Sequence, residues 1–461
     1  MEKNSISRRS FLKSSALAGA AGMVGTGSAT GLLTSCQQAD TGPNYTPLRE
    51  PGSYYVPDLS GVEAEGRALK VGLVGCGGQG TGDLLNLLRV TENVKVTALG
   101  DTFVDRLNKT VDDVKKLKGY EVPENSRFIG LDAYKQVIDS DVDAVMLVTP
   151  PFFRSLHFQY AVEKNKHVFM EKPLFVDPTG YRSILTTAMQ LKAKNLAVIV
   201  GTQRHHEPPY VEGFQQVMNG LIGEITGGAV YWNQNQLWFN ERKQGWSDLE
   251  WMIRDWVNWT WQSGDHIVEQ HVHNLDVFTW FSGLKPAKAN GVGARHRRVT
   301  GDQFDCFSID FTMENGIHVQ SMCRQINGCS GPITEFIQGT KGSWTPHVIK
   351  DLKGEEIWRY DGDTAKERYK ITQPNQLELL AWVKHIREGK FIDQASELAV
   401  SNMMALMGRE AAYTGRETNW ETMTASTMDL KPSEPLSLTG NMDMTRYTVP
   451  VPGGASGGRR G

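Results

Sequence analysis

The sequence predicts an α/β protein in which a doubly wound parallel sheet precedes a second α/β domain with an open, mostly antiparallel sheet. Three observations support this fold class. Between residues 67 and 201, short apolar strands alternate with helices, a pattern typical of a parallel sheet with helices on both faces. A glycine-rich turn joins the first strand to the first helix. After residue 201, longer strands alternate apolar and polar residues, which indicates antiparallel pairing.

The composition sets limits on the class of protein. A chain of 461 residues is long enough for two or three domains. Charged residues make up 22% and the formal net charge is −3, so we expect no nucleic-acid partner. With only five cysteines, the chain is not a disulfide scaffold, and the absence of a CxxC spacing gives no indication of a zinc site. Cys323 and Cys329 are near enough in sequence to pair in an oxidising compartment, but we expect both to be reduced.

Residues 1–36 are predicted to be an export signal. Arg8 and Arg9 precede Ser10-Phe11-Leu12-Lys13, and an Ala/Gly-rich run follows that is too weakly apolar for a spanning helix. This pattern is typical of a twin-arginine signal. The sequence up to Cys36 resembles a lipoprotein processing box, which would leave a lipidated Cys36; simple cleavage nearby is the alternative. We expect a periplasmic protein, attached to the membrane only if Cys36 carries a lipid.

The elements of the first domain follow in order. Residues 37–66 contain four prolines and are predicted to form an extended arm or tether. The domain at 67–201 has predicted strands at 69–74, 94–99, 142–148, 167–170 and 197–200. Helices are predicted at 81–89 and 154–164, and a third runs from Pro178 through Leu191. Asp177 is its predicted N-cap, with proline at the first helical position.

The second domain is predicted to span 202–430. Its predicted strands lie at 228–232, 304–311, 318–323 and 335–338. One late helix begins at Asn375, with Glu378 as its partner in a capping pair. Another covers 397–413 and ends before Gly415. Residues 431–461 form a tail whose end we expect to be disordered.

The glycine-rich turn has the spacing of a dinucleotide-binding fingerprint. The first glycine permits a tight turn, the second lets the backbone approach a pyrophosphate, and the third lets the helix pack closely against the strand. Asp101 ends the next strand, where a carboxylate binds ribose hydroxyls and repels a 2′-phosphate, so NAD is favoured over NADP. The sequence therefore predicts a Rossmann domain that contacts the cofactor through Gly75, Gly77, Gly78, Gln79, Gly80 and Asp101.

A lysine follows the strand at 167–170, within Glu171-Lys172-Pro173. It lies at the carboxyl end of a parallel strand, where doubly wound sheets bind ligands. A lysine beside nicotinamide can hold a substrate hydroxyl, help to remove its proton and stabilise the alkoxide. The alternative is a surface pair between Lys172 and Glu171. We also expect the Lys172–Pro173 bond to be cis, because a fixed turn would aim the amine.

An acid and a histidine follow at helical spacing. Glu269 and His273 would share one helix face, so that the carboxylate could orient an acid/base imidazole. Asp265, His266 and His271 could join these two residues as metal ligands. Histidines two residues apart do not share a helix face, so we expect no metal, and His271 is better interpreted as a core histidine.

Two further groups are candidates for substrate binding. Arg204 and His205 follow the last strand at a predicted cleft edge, although solvated loop charges are the alternative. Seven of the twelve tryptophans lie between residues 232 and 261. Because tryptophan rings stack on sugar rings, we expect two or three to line a carbohydrate site, with Trp256 and Trp259 as candidates.

Together these motifs resemble the glucose–fructose oxidoreductase, inositol dehydrogenase and MocA (Gfo/Idh/MocA) family over about residues 69–420. The resemblance rests on the glycine fingerprint, Thr149-Pro150 with His157 in the next helix, Glu171-Lys172-Pro173, and the acid and histidine at 269 and 273. It implies sugar or polyol substrates, a homo-oligomer formed through the open sheet, and catalysis by Lys172 and His273. It also implies that Thr149, Pro150, His157 and Glu171 belong to the cofactor site. The chain departs from the family at Glu269, where aspartate is usual, and at 262–266, which replace a triple glycine.

The export signal bears on the expected reaction. Twin-arginine export carries folded proteins, whereas free NAD is a cytoplasmic metabolite. A trapped cofactor must therefore be restored in the same site at each turnover. We expect an NAD-dependent oxidoreductase acting on a secondary hydroxyl of a sugar or sugar derivative. The alternative is redox-neutral glycoside cleavage by oxidation, elimination, hydration and reduction, and a non-catalytic sugar-binding lipoprotein is a third hypothesis.

Overall fold

The computed structural model describes residues 48–50 and 54–454. The predicted export signal, Cys36, residues 37–47 and 51–53 of the predicted arm, and the last seven residues of the tail lie outside the described residues. Within the described part of the chain, no helix is both long and apolar enough to cross a lipid bilayer.

The first half of the chain forms a parallel sheet, as the sequence predicts. Its strands β4, β5 and β6 are apolar and buried on both faces, apart from the first residue of β5, which is typical of central parallel strands. The six strands from this half are β1 (Leu69–Val74), β2 (Val94–Asp101), β3 (Arg127–Ile129), β4 (Ala144–Leu147), β5 (His167–Met170) and β6 (Ala197–Val200).

Helices connect these strands. They are α1 (Gly78–Val90), α2 (Val104–Lys118), α3 (Ala133–Asp139), α4 (Pro151–Glu163), α5 (Pro178–Ala188) and α6 (Leu191–Lys194). Asp177 caps α5 as predicted, because its carboxylate accepts a hydrogen bond from the Gly180 N–H at 2.7 Å. The helix predicted to continue through Leu191 ends at Ala188, and α6 follows as a separate turn.

The second half forms an open sheet of nine strands in the order β14-β13-β12-β11-β7-β10-β9-β8-β16. β7 and β10 pair in parallel, and the other described pairings are antiparallel. The strands are β7 (Ile225–Gln234), β8 (Pro286–Ala294), β9 (Cys306–Met313), β10 (His318–Gln325), β11 (Ile333–Gly339), β12 (Gly342–Thr345), β13 (Val348–Asp351), β14 (Glu356–Arg359) and β16 (Thr418–Asn419). The remaining strand, β15 (Ile392–Asp393), pairs with β6 and completes the parallel sheet in the order β15-β6-β5-β4-β1-β2-β3.

The helices of the second half are α7 (Pro208–Met218), α8 (Asp248–Arg254), α9 (Thr260–Ser263), α10 (His266–Glu269), α11 (Val272–Ser282), α12 (Gly362–Arg368), α13 (Pro374–Arg387), α14 (Gln394–Thr414) and α15 (Trp420–Ala425). The predicted capping pair at the start of α13 is wrong. Gln373 precedes the helix without a side-chain cap, and Glu378 is buried. α14 ends at Gly415 in the left-handed conformation, as predicted.

Helix α14 joins the two sheets, which lie in one compact unit. It is buried along nearly its whole length and packs against β6 of the parallel sheet and against β8 and β9 of the open sheet. The described part of the predicted arm packs on α13, where Lys384 pairs with Asp58 at 2.5 Å and Arg387 with Glu63 at 2.5 Å. The predicted domain boundaries stay a prediction. Strand β15 lies in the predicted second domain by sequence but pairs with β6 of the first sheet.

Candidate active site

A cleft of about 1010 Å³ opens at the carboxyl ends of the parallel strands. The first half of the chain contributes the glycine-rich turn, Asp101, and the Glu171-Lys172 pair. The second half contributes Trp232, Glu269 and His273. Ligands of doubly wound sheets bind at this edge, so the cleft combines the predicted cofactor residues with the predicted catalytic residues.

The glycine-rich turn leaves room for a ligand to approach the protein backbone closely. Gly75 has a φ of +98°, and a Cβ on Gly80 would lie 1.9 Å from the carbonyl oxygen of Gly75. In contrast, a Cβ on Gly77 or Gly78 would meet no atom within 4 Å, and both residues line the cleft. α1 begins at Gly78, so the N–H groups of its first turn have no partner within the helix. This cradle fits the pyrophosphate of a dinucleotide.

Asp101 lies at the end of β2 in the cleft wall. One carboxylate oxygen accepts the Cys76 N–H at 2.7 Å, and the other accepts the Phe103 N–H at 2.8 Å. Burial raises the pKa of Asp101. These two backbone bonds fix the carboxylate and leave lone pairs on both oxygens for a ribose. Arg106 and Lys109 line the same part of the cleft, and the sequence prediction missed both.

Thr149 and Pro150 line the cleft after β4, as expected for cofactor contacts. His157 does not line this cleft but lines a smaller adjoining pocket together with Asp101, Thr149 and Pro150. It is buried on α4, where its ring stacks on Tyr134 at 4.1 Å and its Nδ1 lies 3.2 Å from the Thr149 hydroxyl. His157 therefore supports Thr149 from a pocket that shares Asp101, Thr149 and Pro150 with the cleft, and its predicted cofactor contact stays a prediction. Burial lowers the pKa of His157 to about 3, so the ring is neutral.

Lys172 reaches into the cleft and bonds Glu269. Its Nζ donates to the Glu269 carbonyl oxygen at 2.6 Å and to Glu269 Oε1 at 2.9 Å, and the two side chains are only 10% and 8% exposed. The Lys172–Pro173 bond is cis, as predicted. The following turn is anchored by Asn402 of α14, which accepts the Leu174 N–H at 2.7 Å. Lys172 is thus part of a buried ion pair, not the surface pair with Glu171 that was the alternative.

The predicted helix through Glu269 and His273 is interrupted. Glu269 ends α10, whereas His273 belongs to α11. The His273 N–H donates to the Gln270 carbonyl at 3.3 Å, so the Glu269 carbonyl is left for Lys172. The sequence predicts that Glu269 orients the ring of His273. In the structure, the described hydrogen bonds of the Glu269 carboxylate go to Lys172 instead.

His273 lines the cleft with its ring stacked on Trp232, at 5.5 Å between centroids and 21° between planes. Its Nδ1 is buried without a hydrogen-bond partner among the described residues, so the cleft reaches the ring through Nε2. Burial, followed by the charges of Lys172 and Arg204, lowers the pKa of His273 well below its usual range. The imidazole is therefore neutral and able to accept a proton.

Arg204 and His205 do not lie where the sequence predicts substrate contacts. Neither is among the residues that line the cleft, and both are buried. Arg204 pairs with Glu335 at 2.5 Å, and its guanidinium lies 5.4 Å from the Trp232 ring. His205 lies 2.6 Å from Asp276. They are therefore neither cleft-edge groups nor solvated loop charges, and Arg204 packs behind the ring that supports His273.

The tryptophan-rich segment divides between cleft and core. Trp232, Trp238 and Trp256 line the cleft. Trp238 is 46% exposed and packs edge-to-face with Trp256, at 6.1 Å between ring centroids. Trp259 does not line it: the ring is 3% exposed and packs edge-on against Trp251 at 5.2 Å. Trp259 is thus a core residue, and Trp232 and Trp238 are cleft residues that were not singled out.

Arg254 of α8 bridges the two halves across the cleft wall. Its guanidinium bonds both oxygens of Asp105 at 3.1 and 3.2 Å and lies 3.8 Å from the Phe103 ring. Glu250 holds its Nε at 2.9 Å. Because Phe103 and Asp105 follow β2, this bridge encloses the end of the cleft beside Asp101.

The predicted core role of His271 is confirmed. It is buried with Nε2 2.8 Å from the Ser321 hydroxyl. Asp265 and His266 bond each other at 3.0 Å, and the Asp265 carboxylate also accepts the Phe304 N–H. These side chains therefore have partners within the protein.

One group with metal-ligand side chains lies elsewhere. Within the described ranges, His296, Asp305 and Cys306 bring one ligand atom each to within 4.8 Å of one another. Asp305 accepts backbone N–H groups of residues 296–298, so it organises this loop. Cys323 is buried, Cys329 is exposed, and both are free thiols.

Comparison with known proteins identifies two segments. Residues 69–202 match the Gfo/Idh/MocA model described as "Oxidoreductase family, NAD-binding Rossmann fold". Residues 5–25 match the twin-arginine translocation pathway signal sequence. The cofactor domain and the export signal predicted from the sequence are both confirmed.

Individual relatives share about a quarter of their residues with this chain over the aligned segments. The chain is 26% identical over 221 residues to an inositol 2-dehydrogenase/D-chiro-inositol 3-dehydrogenase of Lactiplantibacillus plantarum, covering 47% of this chain and 53% of the relative. It is 25% identical over 235 residues to a glycosyl hydrolase family 109 protein of Shewanella pealeana, covering 50% and 47%. The chain thus spans about half the length of these relatives. The structure of apo scyllo-inositol dehydrogenase from Lactobacillus casei aligns with a TM-score of 0.59 and 21% identity, covering 79% of this chain and 100% of that chain, which shows the shared fold.

Proposed function

We propose that this chain, an oxidoreductase of the Gfo/Idh/MocA family with a twin-arginine export signal, oxidises a secondary hydroxyl of a sugar or sugar derivative with NAD. The observation that carries the proposal is the convergence of Lys172, Glu269 and His273 on the cleft that contains the glycine-rich turn. Inositol dehydrogenases among the similar proteins support a polyol-like substrate.

The three polar residues divide the work of the reaction. Bound NAD supplies the hydride acceptor. His273 is neutral and buried, so its Nε2 takes the proton of the substrate hydroxyl. Lys172 donates two hydrogen bonds to Glu269. Its remaining N–H is directed toward the substrate oxygen and stabilises the negative charge that develops there. Glu269 positions the Lys172 ammonium.

The remaining cleft residues suit a neutral ring with many hydroxyls. Trp232, Trp238 and Trp256 offer apolar faces, while Gln203 and Gln270 offer amides. Aromatic faces stack on the C–H faces of sugar rings, and amides bond their hydroxyls. The aromatic and amide lining therefore supports a carbohydrate substrate.

The export signal supports a periplasmic location, with a lipid on Cys36 as the proposed membrane attachment. The cofactor must then travel with the folded protein. The Arg254–Asp105 bridge beside Asp101 would slow loss of a bound dinucleotide. We therefore expect NAD to remain bound through purification.

A specific similarity favours a second candidate function. A glycosyl hydrolase family 109 protein and a 2,7-anhydro-N-acetylneuraminate hydratase are among the similar proteins. A trapped cofactor that is oxidised and reduced within one turnover needs no external NAD supply. The second candidate is therefore NAD-dependent, redox-neutral cleavage of a glycoside.

One experiment separates these functions. The purified protein is denatured and the released nucleotide is identified by absorbance and mass; the native protein is then incubated with inositols, aldoses and aryl glycosides. Growth of nicotinamide absorbance with a polyol or sugar supports the dehydrogenase. Release of aglycone without added cofactor supports the cleavage reaction. Absence of bound or bindable nucleotide would reject both reactions and leave a sugar-binding protein.

The open face of the second sheet is a proposed contact surface for a homo-oligomer. Val292, Met322 and Phe336 are exposed on β8, β10 and β11. Exposed apolar side chains on a wide sheet favour association with another protein surface. Light scattering of the parent and of Phe336→Glu tests this: the parent should be an oligomer, and the variant should shift toward the monomer.

A further inference from the structure

Three buried carboxylic side chains from separate elements lie next to the glycine-rich turn. Asp83 belongs to α1, Glu171 follows β5 and Glu378 belongs to α13. Gln79 links two of them, since its amide donates to Asp83 Oδ1 at 2.8 Å and approaches Glu171 Oε1 at 3.4 Å. Helix α13 packs against α1, and burial, followed by interaction with Glu171 and Asp83, raises the pKa of Glu378. Gln79 and Glu171 also line the cleft, so the group borders the proposed cofactor site.

We propose that Asp83, Glu171 and Glu378 form a proton-holding cluster that binds a proton when the cleft loses a positive charge and returns it in the reverse reaction. This inference rests on the proposed function, because the change in charge accompanies oxidation of the substrate. It gives a role to buried groups that the proposed mechanism does not use.

The cluster has little else to stabilise negative charge. Asp83 and Glu378 are each 1% exposed, and Asp83 Oδ2 and both oxygens of Glu378 have no hydrogen-bond partner among the described residues. The nearby cations are committed elsewhere. Lys172 bonds Glu269, and the Arg154 guanidinium bonds the carbonyl oxygens of residues 149 and 173.

Electrostatics then decides the protonation. A buried carboxylate without hydrogen bonds is costly, and adjacent carboxylates repel one another. Burial, reinforced by mutual repulsion, raises the pKa of Asp83 and of Glu378 well above the usual range. Burial also raises the pKa of Glu171, although Lys172 and Arg154 oppose that shift and Glu269 adds to it. Burial and mutual repulsion therefore favour the protonated forms of Asp83 and Glu378, whereas the charges of Lys172 and Arg154 favour an ionised Glu171 that can accept a further proton.

The proton balance of the reaction makes such a store useful. The alcohol loses one hydride and one proton, and the ring of oxidised NAD loses its positive charge when it accepts the hydride. The O–H proton passes first to His273, whose burial beside Lys172 disfavours the imidazolium. It then moves through the solvent of the cleft to the cluster, whose affinity for protons has risen with loss of the positive charge. The net charge of the cleft and the cluster together is unchanged.

Infrared difference spectroscopy of the full chain tests the inference without any sugar substrate. Spectra are compared for protein loaded with NAD⁺ and with NADH, and loading is checked by nicotinamide absorbance. The NADH form should gain intensity at the C=O stretch of protonated carboxyl groups. This gain should be lost or shifted in Glu378→Gln and in Asp83→Asn, and retained in Glu367→Gln, a control at an exposed position of α12.

Two variants keep the test decisive if one of them fails to fold. The inference is overturned if both nucleotides bind but the carboxyl region does not change, or if folded Glu378→Gln or Asp83→Asn retains the parent signal. In either case the proposed oxidoreductase function stands. Failure of both nucleotides to bind would reject the proposed function together with the cluster's role.

Discussion

Replacement of Lys172 by methionine tests the buried ion pair at the centre of the cleft. Methionine preserves most of the side-chain volume but removes the ammonium that bonds the Glu269 carbonyl at 2.6 Å and its carboxylate at 2.9 Å. The Glu269 side chain is 8% exposed, and its Oε2 has no hydrogen-bond partner within the part of the chain that the structure describes. Loss of one member of a buried pair leaves an uncompensated charge and costs about 3–5 kcal/mol. We expect that loss in unfolding free energy, together with a roughly 10²–10⁴-fold loss of turnover.

Urea unfolding of parent and variant proteins measures the first effect. The double variant Lys172→Met/Glu269→Gln should recover much of the lost stability, because no buried charge remains unpaired. Lys384→Met is the matched control, since its pair with Asp58 is 33% and 44% exposed and should contribute about 0–1 kcal/mol. The reasoning is refuted if Lys172→Met unfolds at the same urea concentration as the parent, or if the double variant is less stable than Lys172→Met.

Three further predictions concern the glycine-rich turn, the tryptophans and the proposed catalytic base. Gly80→Ala places a Cβ 1.9 Å from a backbone oxygen, so it should lower stability and abolish NAD binding. Gly77→Ala has no atom within 4 Å of its Cβ, so it should lose only NAD affinity. Calorimetric titration and urea unfolding distinguish the two variants. Trp259→Ala should cost about 3–5 kcal/mol of unfolding free energy, while Trp256→Ala should unfold near the parent midpoint and show a raised KM. Because burial lowers the pKa of His273, kcat/KM for oxidation should fall only at pH values below the usual histidine range, and a decline centred near neutral pH would contradict a buried neutral base.

Periodic patterns and turn residues made most of the fold predictable from the sequence. The buried run of β4 and the alternation of β10 each identify a strand and the kind of sheet that it joins. Asp177 and Gly415 mark helix ends through local bonds that involve only nearby residues. The capping prediction for Glu378 failed because the same spacing also suits a buried position on α13, and only tertiary packing distinguishes the two.

The candidate site was less predictable, because its contacts join residues distant in sequence. Lys172 and His273 could be chosen from their local motifs, and both line the cleft. Arg204, however, is held by Glu335 from β11, a partner that no local pattern reveals. Trp256 and Trp259 are three residues apart in one segment, yet only Trp256 reaches the cleft. Composition indicates that such a segment contains cleft residues, but it does not say which ones.

The interruption between α10 and α11 explains how one short segment serves two different groups. In a continuous helix, the His273 N–H would bond the Glu269 carbonyl four residues earlier. Here it bonds Gln270 instead, so the Glu269 carbonyl joins its own carboxylate in binding Lys172. With both acceptors used in this way, Glu269 does not need to orient His273, and the stacking of that ring on Trp232 takes over the task. The broken helix therefore separates the group that we propose stabilises the alkoxide from the group that we propose removes its proton.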